Sequence, residues 1–231
     1  MTRNNMSKIV HPYAHRLVIL RDWKSRWFAD PKKYSEYLKG DTLVREYLEK
    51  KLRGMYVSGI EIERNQKMTR FIIKTSRPGL IIGRNGEGAT KLKEDILRKM
   101  TKLKVAKPED FKLEIVEVSN PEANAAIVAY MIAEGLEKRM PYRRVVKQVM
   151  EKVMAAHGVE GARVVLSGRL GGADIARTEE LKKGSIPLQT FRADIDFKRE
   201  RATMSYGVVG IKVWIYRGKI FADKKKTENR K

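Results

Sequence analysis

Apolar residues recur along the chain at two spacings, one helical and one alternating, and the switches between them outline the fold. After Asp30-Pro31, Tyr34, Leu38, Val44, Leu48 and Leu52 fall near helical spacing, and Gly54 ends the stretch. Tyr56 to Glu63 and Met68 to Thr75 are rich in β-branched and aromatic residues, with Asn65-Gln66-Lys67 between them as a hairpin turn. Arg77-Pro78-Gly79 breaks the second strand, and a short apolar turn, Leu80-Ile81-Ile82-Gly83, follows. From Glu87 to about Lys102, Leu92, Ile96, Leu97 and Met100 mark a helix, and Phe111 to Val118 alternates as a half-buried strand. The first half therefore reads helix, strand, strand, short helix, helix, strand.

Asn120-Pro121 opens a second pattern. Ala123 to Arg139 and Tyr142 to His157 are helical by periodicity, separated by Met140-Pro141, with Gly158 as the stop. Three strands are predicted beyond them: Ala162 to Gly168, Thr190 to Arg199, and Tyr206 to Tyr216, punctuated by Gly207, Gly210 and Gly218. The fold class is α+β, the second half placing two helices on a small antiparallel sheet. The expected organisation is an N-terminal extension over residues 1–30, a first domain over 31–119, a second over 120–221 and a basic tail over 222–231.

Charge narrows the class of partner. The 231 residues include 50 Lys and Arg against 28 Asp and Glu, a formal +22. Divided at Pro108, the two parts carry +15 and +7, so the excess is not confined to a tail. A field of that sign draws polyanions, nucleic acid first and an anionic membrane surface second. The absence of cysteine excludes a disulfide scaffold, a thiolate zinc site and a thiol nucleophile. The longest wholly apolar run, Ala125 to Ala133, falls far short of the roughly 18 residues of a membrane span, and the polar N-terminus lacks a signal-peptide stretch. A cytosolic, soluble, basic protein is expected, with nucleic acid as its first partner.

Three constellations could serve RNA. Gly83-Arg84-Asn85-Gly86 lies between the short apolar turn and the helix from Glu87; its glycines permit close backbone approach, the helix start offers unpaired amides, and Arg84 supplies a cation. Alone, a Gly-x-x-Gly is a tight turn; between two helices after a β-hairpin, it resembles the loop with which KH domains clamp single-stranded backbones. On the helix Tyr142 to His157, Arg143, Arg144 and Lys147 form either a solvated face or a cationic ridge for an RNA strand, with Val145, Val146, Val149 and Val153 turned inward. The run Arg169 to Glu179, containing Gly171-Gly172 and Arg177, reads equally as an RNA-docking loop or a hairpin connection.

Enzyme chemistry fits poorly. No Walker loop occurs, and Gly83, Gly86 and Gly88 reverse the dinucleotide fingerprint. Pro12 separates His11 from His15, against a helical metal pair. Asp194 and Asp196 share one side of a strand and could hold Mg²⁺, but pairing with Arg192 or Lys198 explains them better. Trp23, Trp27 and Phe28 could stack on bases or form a helical patch facing the core or a partner. No cofactor or metal is expected, and no enzyme.

Long strings along nearly the whole chain resemble the family of bacterial small-subunit ribosomal protein number three: KIVHPYAHRL, W-x-x-x-W-F-A-D, SRPGLIIGRNGE, YRRVVKQVM, SGRLGGADIARTE, IPLQTFRADIDF and YGVVGIKVWIYRG. The resemblance implies a type II KH domain in the first half and a family-specific α+β domain in the second. It implies a cytoplasmic place in the head of the small ribosomal subunit, bound to small-subunit ribosomal RNA and to neighbouring head proteins, numbers ten and fourteen. By the same resemblance, Arg143, Arg144 and Lys147 line the messenger RNA entrance and help open messenger RNA structure. Arg169, Gly171, Gly172, Arg177 and Arg192 are candidate ribosomal RNA contacts from their place in the basic, glycine-containing C-terminal part. The chain departs from the family pattern at Ala14 and Val18, where that pattern has glycine, and Met1 to Ser7 precede its usual start. The alternative is a free-standing KH-domain RNA regulator, which would have little use for RLGGADIARTE and the closing strands.

Overall fold

A computed structural model describes residues 11–65, 68–102 and 110–221. The extension Met1 to Ser7, the turn residues Gln66-Lys67 and the basic tail lie outside the described residues. The first half contains β1 (Ser25–Arg26), α1 (Pro31–Lys51), β2 (Val57–Arg64), β3 (Met68–Thr75), α2 (Pro78–Ile82), α3 (Glu87–Lys102) and β4 (Asp110–Glu117). Pro31 occupies the first position of α1, where its missing N–H costs nothing. The sheet order is β1-β2-β3-β4, with β2 and β3 antiparallel and the outer pairs parallel. Val44 and Leu48 of α1 and Ile96 and Met100 of α3 pack on Ile62, Phe71 and Ile73, so both helices cover one face of the sheet. The Leu80-Ile81-Ile82 turn is helical, and β1 joins a sheet edge that the hydrophobic pattern leaves bare.

The second half contains α4 (Ala125–Glu137), α5 (Tyr142–Ala155), β5 (Gly161–Gly168), β6 (Arg177–Gly184), β7 (Ala193–Met204) and β8 (Gly207–Lys219). Its sheet has four antiparallel strands in the order β6-β5-β8-β7, not the predicted three. The extra strand is β6, whose sequence RTEELKKG holds one large apolar side chain; as an edge strand it has little to bury and so carries no alternating signal. β7 begins and ends later than predicted, because Arg199 to Met204 continue the ladder against β8 despite their charge. Helix α4 begins two residues late: the Asn124 side chain accepts from the Ala126 and Ile127 amides, and Asp196 from β7 accepts from the Ala125 amide at 2.9 Å. Ala129, Ile132, Val149, Met150, Leu166 and Val213 lie in the core between the two helices and the sheet.

Residues 11 to 30 tie the halves together. Arg16 is fully buried, and its guanidinium donates to the carbonyls of Pro12, Leu188, Thr190 and Ala193 at 2.7–3.1 Å. Arg21 reaches Asp194 at 2.6 Å, while β1 pairs with β2 of the other half. Further polar contacts cross between the halves: Tyr56 donates to Glu134, Arg53 pairs with Glu137 at 2.6 Å, and Asn124 bonds Ser58 at 2.6 Å. Among the described residues no helix is long and apolar enough to cross a membrane.

Candidate nucleic-acid interface

The Gly83–Gly86 loop is a single short turn joining α2 to α3. Gly83 at φ +71° and Gly86 at φ +80° adopt backbone conformations that side chains disfavour, and Asn85 joins them at φ +50°, a region asparagine tolerates. A third glycine completes the turn. A Cβ at Gly88 would stand 2.6 Å from the Ile81 carbonyl oxygen, and one at Gly83 would stand 3.1 Å from the Gly88 amide nitrogen, so α3 can start against α2 only with bare backbone on both sides. In the sequence, the only sign of Gly88's role is its spacing of five from Gly83. Arg84 and Asn85 stand exposed at the tip, directly before the first turn of α3. Leu80 and Ile82, both partly exposed, flank the loop with apolar surface.

On α5 the three predicted cations are exposed, while Val145, Val146, Val149 and Val153 are buried. They are not equivalent. Arg143 lies 3.4 Å from Glu179 of β6, a carboxylate that also accepts from the Tyr142 hydroxyl at 2.7 Å. The Tyr142 hydrogen bond and then Arg143 hold Glu179 below its ordinary carboxylate range, and the bond to Glu179 raises Arg143. Arg144 and Lys147 have no carboxylate partner among the described residues; three apart on a helix, they share one face. Since β6 was not foreseen, neither was the acid that offsets Arg143.

The run after β5 is a hairpin connection, with Gly168 and Arg177 opposite each other across the β5–β6 ladder. Gly171 at φ +69° and Gly172 at φ +83° make its turn. Arg169 braces that loop from within, donating to the Ala173 carbonyl at 2.9 Å, the Tyr206 carbonyl at 3.2 Å and the Asp174 carboxylate at 3.1 Å. Arg177 is exposed, and Arg192 lies over the Phe221 ring.

Other candidates fall to structural roles. Trp27 is not on a helix; its indole donates to the buried Asp41 and packs on Tyr34 and Tyr37, whereas Trp23 and Phe28 are exposed. Asp194 and Asp196 pair with Arg21 and Arg217 rather than with Arg192 or Lys198, since both side chains turn toward α4 and the N-terminal segment. No group of three or more His, Asp or Glu that could hold a metal ion occurs among the described residues. His11 packs edge-on against Phe197, and burial with nearby Arg199 and Lys24 pushes its pKa down.

Helix, hairpin and Gly-x-x-Gly turn in this order, on a strongly basic chain, define an RNA-binding protein of the KH class with a second α+β domain. The family model for the KH domain matches residues 43–123, and that for "Ribosomal protein S3, C-terminal domain" matches residues 132–215. The chain is 45% identical over 219 residues to small ribosomal subunit protein uS3 of Caldicellulosiruptor bescii, covering 95% of this chain and 96% of that one. It is 46% identical over 215 residues to uS3 of Maridesulfovibrio salexigens, covering 93% and 97%, and 41% identical over 220 residues to uS3 of Clostridium acetobutylicum, covering 95% and 96%. The chain belongs to the uS3 family of small ribosomal subunit proteins, which are structural proteins and not enzymes.

Proposed function

We propose that the chain binds small-subunit ribosomal RNA in the head of the subunit and lines the messenger RNA entrance, where α5 holds the incoming strand and helps separate paired messenger RNA. The observation that carries this reading is the pair Arg144 and Lys147, exposed and without carboxylate partners on one helix face. A separated strand presents phosphates at regular intervals, and such a face holds them without reading sequence. The work of separation comes from translocation, so the ridge needs no nucleotide site of its own. The loop Gly83 to Gly86 grips a second stretch of RNA through backbone amides and Arg84, while Arg177 and Arg192 face ribosomal RNA beside the Gly171-Gly172 turn. Arg169 contributes chiefly by holding that turn in shape. The domains divide at residues 31–119 and 120–221, and head proteins ten and fourteen are its neighbours.

Single-strand RNA binding by the purified chain tests both RNA-binding regions. The double change Arg84→Asp and Asn85→Asp should weaken affinity about tenfold or more at about 0.1 M salt without unfolding, since aspartate also tolerates the conformation of Asn85. Arg144→Ala with Lys147→Ala should flatten the salt dependence by about 0.7 per lost phosphate contact. Unchanged binding in either variant removes that element from the reading.

A further inference from the structure

Beside the ridge lies a slot of about 340 Å³ between α5 and β6. Its floor is the β5–β6 ladder, where Val164 opposes Leu181 and Leu166 opposes Glu179. Side chains alternate along β6, so Glu179, Leu181 and Lys183 turn together toward the helix. Val146 of α5 forms the facing wall, and Tyr142 closes one end. The interior is mostly apolar, but the rim is cationic: Arg143 and Lys147 stand on the helix side and Lys183 on the strand side. Two carboxylates line it, and both are already engaged: Glu179 by Tyr142 and Arg143, and Glu180 by Arg163 at 2.6 Å. Lys147 and Lys183 have no carboxylate partner among the described residues.

We infer that this slot receives a nucleobase unstacked from the single strand lying along α5, while Arg143, Lys147 and Lys183 hold its flanking phosphates. The inference rests on the reading of α5 as a strand-holding ridge. A nucleotide joins a flat ring with apolar π-faces to an anion, which matches an apolar floor under a cationic rim. An apolar peptide would leave the rim uncompensated, and a lone phosphate would leave the floor uncovered. The volume sits at the small end of the roughly 300–1,000 Å³ of ligand pockets, enough for one base. Proteins that hold single-stranded RNA commonly splay bases onto aromatic and apolar surface in this way, and the interaction tolerates any sequence.

The test compares a short single-stranded RNA with a strand of the same length lacking bases, using the full chain and two variants. Leu181→Trp fills the slot from a half-buried surface position and leaves every cation in place. It should lose at least about fivefold in affinity for the base-bearing strand and nothing for the abasic one. Arg144→Ala with Lys147→Ala should weaken both strands alike. Should Leu181→Trp not fold, the unaltered chain still answers: a strand carrying 6-thioguanosine should photocrosslink within residues 142–147 or 179–183. The inference is overturned if Leu181→Trp binds both strands like the parent, if those segments collect no crosslink, or if an apolar peptide competes for the slot in place of RNA. If the arginine–lysine variant weakens neither strand, the ridge reading fails as well, and the two failures are told apart.

Discussion

Val18 holds a left-handed backbone conformation, φ +70°, with its side chain 81% exposed. A β-branched residue there costs on the order of 1–3 kcal/mol, and being exposed it gains no packing in return. Glycine would relieve that strain and give back about 0.5–1 kcal/mol through the greater freedom of the unfolded chain. Val18→Gly should therefore stabilise the protein by about 1 kcal/mol, read as a higher urea midpoint at unchanged slope; an unaltered midpoint would show that the turn bears no strain. Ala14 behaves differently. It sits in an ordinary right-handed turn, so glycine there would relieve no strain. At this scale sequence and structure diverge most. Nothing in a row of letters distinguishes Arg16, buried among backbone carbonyls of which those of Leu188, Thr190 and Ala193 come from more than 170 positions away, from the exposed arginines that give the chain its charge.

At the scale of elements, periodicity located α1, α3, β2, β3 and β4 closely, because each buries one face against a single core and its apolar residues must keep step with that face. It missed β6 for the converse reason, and with β6 it missed the acid facing α5. The candidate ridge was legible as a row of cations, but its internal difference was not: Arg143 shares its charge with Glu179, and Arg144 and Lys147 do not. Likewise Gly83 and Gly86 were legible as a turn, whereas the need for Gly88 follows only from how closely α3 approaches α2. The ridge difference gives a measurable consequence. Glu179→Gln should release Arg143 and strengthen single-strand RNA binding by about two- to fivefold at low salt, the range of an exposed ion pair. Titration of a labelled strand would show it, and weaker or equal binding would mean that Arg143 does not reach the RNA.

For the whole molecule, the joint between the halves is chiefly polar, built from Tyr56–Glu134, Arg53–Glu137, Asn124–Ser58 and the N-terminal segment around Arg16 and Arg21. Lys138 first and the Tyr56 hydroxyl second hold Glu134 below the ordinary value of 4.5. A carboxylate so depressed contributes stability that is present above its unfolded value and is lost as pH falls through the folded one. Unfolding measured from pH about 5 down to about 3 should therefore show a steeper loss in the parent than in Glu134→Gln, and parallel curves would exclude this contact from the acid response. The same joint sets the KH loop and the α5 ridge on one body, so the +22 is spread over several surfaces rather than concentrated in one site.

If the α5 ridge holds messenger RNA as it enters, the rate of elongation through a stable hairpin reads that grip most directly. Ribosomes carrying Arg143→Ala, Arg144→Ala and Lys147→Ala together should assemble and read unstructured messages at the parent rate, yet slow severalfold at the hairpin. Equal rates through the hairpin, with assembly intact, would contradict the account.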